Sequence, residues 1–520
     1  MSPPGRPKGE YRSAQHEGSS MSGSLPLAAD TIVLQDGQRG WRRAELQAEV
    51  AALAARLKSQ GTRVLATLMD NSPAWVMADL AAAEAGAVHV PLPPFFTPAQ
   101  TGHALQAAGV DTLLGPAELA AAWPQAPAPA QDCEVGDQFL TMLCLPFPPV
   151  ALPPGTTKIT FTSGTTGAPK GVCLDGAAMQ RVADGLVQAM APLDVRRHLN
   201  ALPFAVLLEN IAGLMAPLTR GATCITLPLR QLGLTGSSSF DAACFHAAVL
   251  QHQPHSVILL PQMLRAWAGY LLHSRQRAPA SLKLVAVGGA AVGERLIRAA
   301  RALGIPAHEG YGLSEGASVQ TLNLPGADRP GSAGRPLPHA QLRVAADGEL
   351  EIAGSLFAGY LGDANPPPAW WPTGDLGHID ADGFVHVHGR KKLVLITAYG
   401  RNVSPEWVET ALRSEAAIGQ AVVFGEGQPS LGAVLWPVQA ELSDAALQAA
   451  VDTANATLPD YARVQRWVRA RAAFNAETGL ATANGRPQRA AILAAHADVN
   501  ADTHADAQAD AMASARAEAL

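Results

Sequence analysis

Cysteine is scarce and scattered. Cys133, Cys144, Cys173, Cys224 and Cys244 are the five in a chain of 520 residues, and no two share a Cys-x-x-Cys spacing. That pattern excludes a disulfide framework and supplies no zinc-ligand set, so a reducing cytoplasm is the natural setting. A basic excess is also missing. The formal net charge of -6 gives no support to nucleic-acid binding or to an electrostatic hold on anionic membranes, and a small molecule fits better as a partner. Long apolar runs are missing as well. The longest apolar region, Leu202 to Leu218, is interrupted by Glu209, Asn210 and Pro217, which predicts a buried helix in place of a membrane span. Residues up to about Ser22 are rich in Gly, Pro, Ser and charge and contain no apolar segment, so no secretory signal is read there. His386 and His388 alternate on one face of a predicted strand and, with no third ligand of suitable type beside them, read as a solvated face.

What is present is a globular composition, 48% hydrophobic and 16% charged, at a length that implies two or more domains. Thr62–Leu68 reads as a strand, Ser72-Pro73 opens an Ala-rich helix through about Ala85, and Ala87–Leu92 reads as a second strand. Strand, helix, strand is the unit of a parallel sheet covered by helices, and Val257–Leu260 and Leu284–Val287 extend it. The dense proline and alanine between about Ala120 and Pro154 predict a surface connection. Beyond His496 the Ala/Asp-rich tail lacks large apolar residues and is expected to be disordered.

The most informative stretch follows that connection. Lys158–Thr162 reads as a strand that runs into Ser163-Gly164-Thr165-Thr166-Gly167-Ala168-Pro169-Lys170-Gly171. Thr162, Ser163, Thr165 and Thr166 supply hydroxyls, Gly164 and Gly167 allow exposed backbone N–H groups, and Lys170 adds an ammonium, which together suit a polyphosphate. A Walker A loop needs Ser or Thr after Gly-Lys, whereas Lys170 lies between Pro169 and Gly171. A bare linker does not account for the strand before the loop or the Pro-Lys-Gly exit. Farther on, Lys283–Val287 runs into Gly288-Gly289-Ala290, a turn that a flat ring can approach closely but whose spacing is not that of a dinucleotide fingerprint.

The loop resembles the phosphate-binding loop of the adenylate-forming superfamily, which includes acyl-CoA synthetases, peptide-synthetase adenylation domains and luciferases. The resemblance covers about Leu25 to Ile492 and is nearest to fatty acyl-CoA synthetases. Leu202–Glu209 is similar to an element in which the family carries a histidine where Val206 stands. Glu309–Glu315 matches the Gly-Tyr-Gly-x-Thr/Ser-Glu element, Gly348–Ile352 with the pair Gly359-Tyr360 resembles the next, Trp371–Gly377 the one after, and Gly389–Lys392 follows. Gly400–Glu409 and Leu480–Arg489 match the last two, with Arg486 in place of a lysine.

This resemblance implies an α/β fold, with a large N-terminal domain of helix-covered sheets over 25–391 and a small mobile α/β domain over 392–493, joined by a hinge. Residues 1–24 and 494–520 are then a disordered lead and tail. It places Gly288, Gly289, Ala290, Tyr311 and Gly312 beside adenine, Ser314 by phosphate, Asp375 on the ribose hydroxyls and Arg390 between ribose and phosphate. Glu315, with Thr165, is the expected Mg²⁺ site; Lys170 and Arg486 are the expected catalytic cations; Lys392 is the hinge and Gly400 lines a pantetheine tunnel. The implied activity is ATP-dependent activation of an apolar, fatty carboxylic acid as an acyl-adenylate, followed by transfer to the thiol of CoA. Transfer to the phosphopantetheine of an acyl carrier protein, stand-alone adenylation, and non-catalytic nucleotide sensing are the alternatives. The expected acyl surface is Val206, Leu207, Leu208, Leu259, Leu260 and Met263.

Overall fold

A computed structural model describes residues 30–123, 129–162, 169–236, 239–363, 365–399, 401–482 and 485–496. Within them the chain forms a large N-terminal α/β domain and a smaller C-terminal one. The first expected unit is present: Val64–Thr67, the helix Pro73–Ala85 and Val88–Pro91, with the two strands parallel and Leu65 opposite His89. Local chemistry defines the helix. Ser72 accepts the Trp75 N–H at 3.2 Å, Pro73 occupies the first turn, and Gly86 ends the helix in the left-handed region. Ala-rich composition lets the helix lie flat on the sheet, and Ala74, Val76, Met77, Ala78, Ala81 and Ala82 are fully buried.

Those strands belong to an eight-stranded sheet whose order runs Gly359–Tyr360, Lys170–Asp175, Thr156–Thr162, Val88–Pro91, Val64–Thr67, Thr112–Gly115, Gln138–Cys144, Gln131–Val135. A nine-stranded sheet carries Leu284–Val287 and Ser256–Leu259 at its centre, with Ala307–Leu313 and Ser318–Leu322 toward one end. Gln341–Val344, Glu349–Ala353, Trp371–Ile379 and Val385–Arg390 form a third, antiparallel sheet. In the small domain Ile418–Phe424, Leu431–Pro437 and Val464–Arg469 pair in a three-stranded sheet, covered by the helices Pro405–Arg413 and Asp444–Asn455. Among the described residues no helix is long and apolar enough to cross a membrane.

Three expectations are corrected. Part of the stretch read as a surface connection, Ala120 to Pro154, is a hairpin, Gln131–Val135 with Gln138–Cys144, that caps the edge of the eight-stranded sheet. Proline lies outside the pairing residues, and Leu140, Met142 and Leu143 are buried, so apolar packing overrides the loop-like composition. The Leu202–Leu218 stretch is not one helix: it turns through Pro203, widens to a π-helix at Glu209–Met215 and ends as the α-helix Ala216–Arg220. His386 and His388 do have a third histidine beside them. The antiparallel register sets His378 opposite His386, the two rings stacked at 4.5 Å, with His378 Nδ1 2.8 Å from His388 Nε2. Among the described residues no group of three or more His, Cys, Asp or Glu side chains is arranged to hold a metal.

Beneath the loop-bearing strand lies a buried ionic cluster. The Lys158 ammonium is 2.8 Å from Asp79 and also bonds to Asn210, while His89 bonds to Asp79 at 2.5 Å and to Thr67 at 2.9 Å. Burial alone would raise the Asp79 carboxyl; Lys158 and His89 outweigh it and hold the group well below the ordinary carboxylate range. Asp79→Ala is expected to cost about 3–5 kcal/mol, because it strands a buried ammonium, and the additional Lys158→Met change is expected to recover part of that. Urea unfolding of the first transition reads both. Equal stability of Asp79→Ala and wild type would show that Lys158 finds water.

Candidate active site

Of the residues singled out by sequence, Lys170 and Glu315 share the partner Tyr360, and Tyr311, Asp375 and Arg390 bond to one another. Thr156–Thr162 and Lys170–Asp175 are paired antiparallel, Thr162 opposite Lys170, so the loop between them leaves and re-enters one sheet edge. Ser163, Gly164, Thr165, Thr166 and Gly167 lie outside the described residues, as does Gly400. Lys170 is exposed, and its ammonium sits 4.9 Å from the centre of the Tyr360 ring, a cation–π contact. Tyr360 in turn donates its hydroxyl to Glu315 Oε1 at 2.7 Å. Burial, aided by the Glu315 charge, pushes the Tyr360 hydroxyl above its ordinary range, which keeps it a donor.

Backbone geometry holds Glu315 in place. Ser314–Gly316 is a single 3-10 turn between Ala307–Leu313 and Ser318–Leu322, and the Glu315 carbonyl accepts the Phe357 N–H at 2.8 Å. Ala317 and Ser318, at φ +52° and +104°, turn the chain back through conformations that side chains disfavour. Gly312 lies so close to the Ser318 carbonyl that a Cβ there would overlap it. The Gly-Tyr-Gly spacing is thus a packing requirement of this hairpin.

Tyr311 extends toward the third sheet. Its hydroxyl donates to Asp375 Oδ2 at 2.6 Å, and Arg390 Nε lies 2.9 Å from Asp375 Oδ1. Arg390 Nη1 also donates to the Thr373 carbonyl at 3.0 Å, which orients the guanidinium along the strand pair. Burial raises the Asp375 carboxyl, against the pull of Arg390 and Tyr311. Burial first, then the Asp375 charge, pushes the Tyr311 phenol well above its usual range. The phenol is therefore a fixed donor.

The Gly288–Gly289 turn abuts this group. A Cβ on Gly288 would sit 3.3 Å from the Gly310 carbonyl and 3.9 Å from Leu208 Cδ2, and one on Gly289 would sit 3.1 Å from Leu260 Cδ2. The turn is pinned by Glu309, which accepts the Val292 N–H at 3.1 Å and whose carboxyl burial pushes up to about 7. Ala290 follows, exposed, at the mouth of the turn. Of the expected acyl surface, Val206, Leu208 and Leu260 are only half-buried, whereas Leu207, Leu259 and Met263 are consumed by the cores. Asn71 anchors the segment through Leu202 O and the Phe204 N–H, both at 2.8 Å.

From the small domain Arg486 reaches the same region. Its charge interacts with Arg390, Glu406, Asp375 and Glu315, and burial, reinforced by Arg390, lowers its proton affinity. Lys392 lies apart from this cluster, exposed in the 3-10 turn Lys391–Leu393. Two contributors escaped the sequence reading: Tyr360, quoted there only as part of a Gly-Tyr pair, and Glu406, whose carboxylate accepts the Arg390 N–H at 2.8 Å. Both depend on register between segments distant in the chain, and no local pattern signals either.

A family model described as AMP-binding enzyme matches residues 27–361, and one described as AMP-binding enzyme C-terminal domain matches residues 392–507. The chain belongs to the AMP-binding enzyme family. This AMP-binding enzyme is 38% identical over 181 residues to the long-chain-fatty-acid–CoA ligase FadD15 of Mycobacterium tuberculosis, a match that covers 34% of the chain and 30% of that relative's length. With the indoleacetate–CoA ligase of Aromatoleum aromaticum it shares 30% identity over 332 residues, 59% of the chain and 61% of the relative. Its fold matches that of o-succinylbenzoate CoA synthetase (MenE) from Bacillus subtilis in complex with an acyl-adenylate intermediate, at TM-score 0.72 and 22% identity over 89% of this chain and 95% of the other. Amide bond synthetase McbA from Marinactinospora thermotolerans matches at TM-score 0.71 and 23% identity, over 89% and 96%.

Proposed function

We propose that this AMP-binding enzyme is an acid–thiol ligase, which activates a carboxylic acid with ATP and passes the acyl group to the thiol of CoA. The observation that carries the reading is the convergence of Lys170, Tyr360 and Glu315 with Tyr311, Asp375 and Arg390, faced by Arg486 from the second domain. Relatives named as CoA ligases support the same reading. The substrate carboxylate oxygen bonds to the α-phosphorus as the bond to the β-phosphate oxygen breaks, and pyrophosphate leaves. The thiol then attacks the acyl carbon, loses its proton and releases AMP.

The residues fit those partners. Gly288 and Gly289 leave room for a ring against backbone, and Asp375 can exchange its bonds to Tyr311 and Arg390 for two ribose hydroxyls. Glu315 presents a hard oxygen to Mg²⁺, with Thr165 as the expected hydroxyl ligand, and the ion would neutralise phosphate charge. Lys170, Thr166 and Arg486 meet the charge that develops at phosphorus, a task of positioning and electrostatics. Lys392 marks the boundary of the two domains in this reading, and Gly400 the approach of the pantetheine arm.

The acid is apolar and aliphatic in this proposal. Leu208 and Leu260 offer hydrocarbon surface beside the glycine turn, half-buried Val206 lies two residues before Leu208, and the segment Phe204–Leu208 holds no carboxylate to meet a substrate ammonium. A carboxylate panel in an ATP–pyrophosphate exchange assay, followed by CoA addition and AMP release, tests it. Each CH₂ that reaches the pocket is expected to add about 0.8 kcal/mol, roughly fourfold in kcat/KM, until a plateau. A preference for aromatic acids, with no rise along the aliphatic series, would overturn the aliphatic assignment while leaving the ligase reading intact.

A further inference from the structure

We propose that the cleft between the helices Pro261–Ser274 and Pro405–Arg413 is a binding site for a phosphate group, gripped by Arg265 from the large domain and Arg413 from the small one. The cleft is lined by both arginines, by Gln262 and Thr410, and by Ala291 and Val292. It encloses about 80 Å³. By a measure of about 10–15 Å³ per water, that holds several waters or the four oxygens of one phosphate.

The charge balance of the cleft points to an anion. Arg265 makes no hydrogen bond or ion pair among the described residues, and Arg413 spends its N–H groups only on the Glu409 carbonyl at 3.2 Å and the Thr410 hydroxyl at 3.3 Å. The carboxylates nearby have closer partners of their own, although the charges of Glu409 and Glu406 still reach Arg413. Glu409 is held by Arg489 at 2.6 Å and by the Val423 N–H at 2.7 Å; Glu406 accepts the Arg390 N–H; Glu415 pairs with Arg295; Glu294 pairs with Arg298 at 2.5 Å. Two half-buried guanidiniums line one space, and the Arg413 charge disfavours that of Arg265, whereas Glu409 and Glu406 partly offset the burial of Arg413. Burial, then the Arg413 charge, brings Arg265 down to about 10. Like charges in a cleft of low dielectric are costly without a counterion, and guanidinium forks match phosphate oxygens in geometry. A phosphate bound here bridges the two domains. Its source is either a free inorganic anion or a phosphate carried on a larger molecule such as CoA.

Inorganic phosphate, titrated into the full-length protein at constant ionic strength, is the direct probe. Saturable heat by calorimetry and a phosphate-dependent rise in melting temperature are expected. Arg265→Gln and Arg413→Gln should each weaken binding at least tenfold, and Arg298→Gln, a paired surface arginine, should not. In phosphate-free buffer Arg265→Gln should melt no lower than wild type, since it removes a repulsion; a lower melting temperature would count against the proposal. Parallel titrations with CoA and 3′-dephospho-CoA separate the sources: a preference for CoA that Arg265→Gln abolishes assigns the carried phosphate, and equal affinities assign the free anion. Absence of saturable phosphate binding, or binding that both glutamine variants retain, would overturn the site.

Discussion

Replacing Arg486 by alanine is expected to lower ATP–pyrophosphate exchange by about 10²–10³, the usual cost of removing one donor that stabilises developing charge. The same variant should still convert supplied acyl-adenylate and CoA to thioester at close to the wild-type rate. The asymmetry follows from what Arg486 faces. It lies in the field of Glu315, Asp375 and Glu406 and of the like charge on Arg390. Only the first half-reaction draws negative charge onto phosphorus there. The Thr482 N–H donates to the Arg486 carbonyl at 2.8 Å, and Gly485, beside Arg486, lies in the left-handed region. Arg486→Lys separates charge from shape: an ammonium keeps the charge but cannot bridge two groups in one plane. Quantitative measurement of both half-reactions decides the matter, and equal losses in the two would remove Arg486 from the adenylation step.

Much of this site could be read from the chain because some of its glycines answer to backbone constraints that act within a few residues. Gly312 is demanded by the Ser318 carbonyl, six residues on, so that motif carries its geometry with it; Gly288 instead answers to the Gly310 carbonyl beyond the neighbouring parallel strand pair. What could not be read depends on register between distant segments. Tyr360 meets Glu315 because Gly359–Tyr360 pairs with Cys173 and Val172 at the edge of the eight-stranded sheet, a contact that no local pattern announces. His378 joins His386 for the same reason, through the pairing of two strands. The hairpin over 131–144 was obscured by proline and alanine on both sides of it. Leu259 and Met263 illustrate the reverse error: an apolar residue near a site is more often claimed by the core than by the substrate, and packing of the helix Pro261–Ser274 claims both. Arg265 and Arg413 lie 148 residues apart by number, and only the docking of two domains brings them to one cleft.

Proline at position 392 is expected to leave pyrophosphate exchange near wild type and to abolish thioester formation. The prediction rests on a contrast between neighbours. Lys391 is tied to the large domain, its ammonium 2.5 Å from Asp347 and 2.8 Å from Glu349, and Arg390 is tied through Asp375 and Thr373. Lys392, the next residue, is exposed within the turn Lys391–Leu393. In the proposed mechanism the small domain therefore rotates about Lys392, the first residue past these ties. A proline ring fixes φ there at about -65° and restrains the residue before it, so whichever orientation that φ allows becomes the only one. In the proposed mechanism the present orientation, with Arg486 in the field of Glu315 and Asp375, serves the first half-reaction, and the second turns the domain to bring Gly400 forward. Lys392→Ala is the control, since it removes the charge and keeps the torsion free, and both activities should survive in it. Single-turnover thioester formation from preformed acyl-adenylate isolates the step. If Lys392→Pro forms thioester as fast as Lys392→Ala, the pivot lies at another residue of the 391–401 segment.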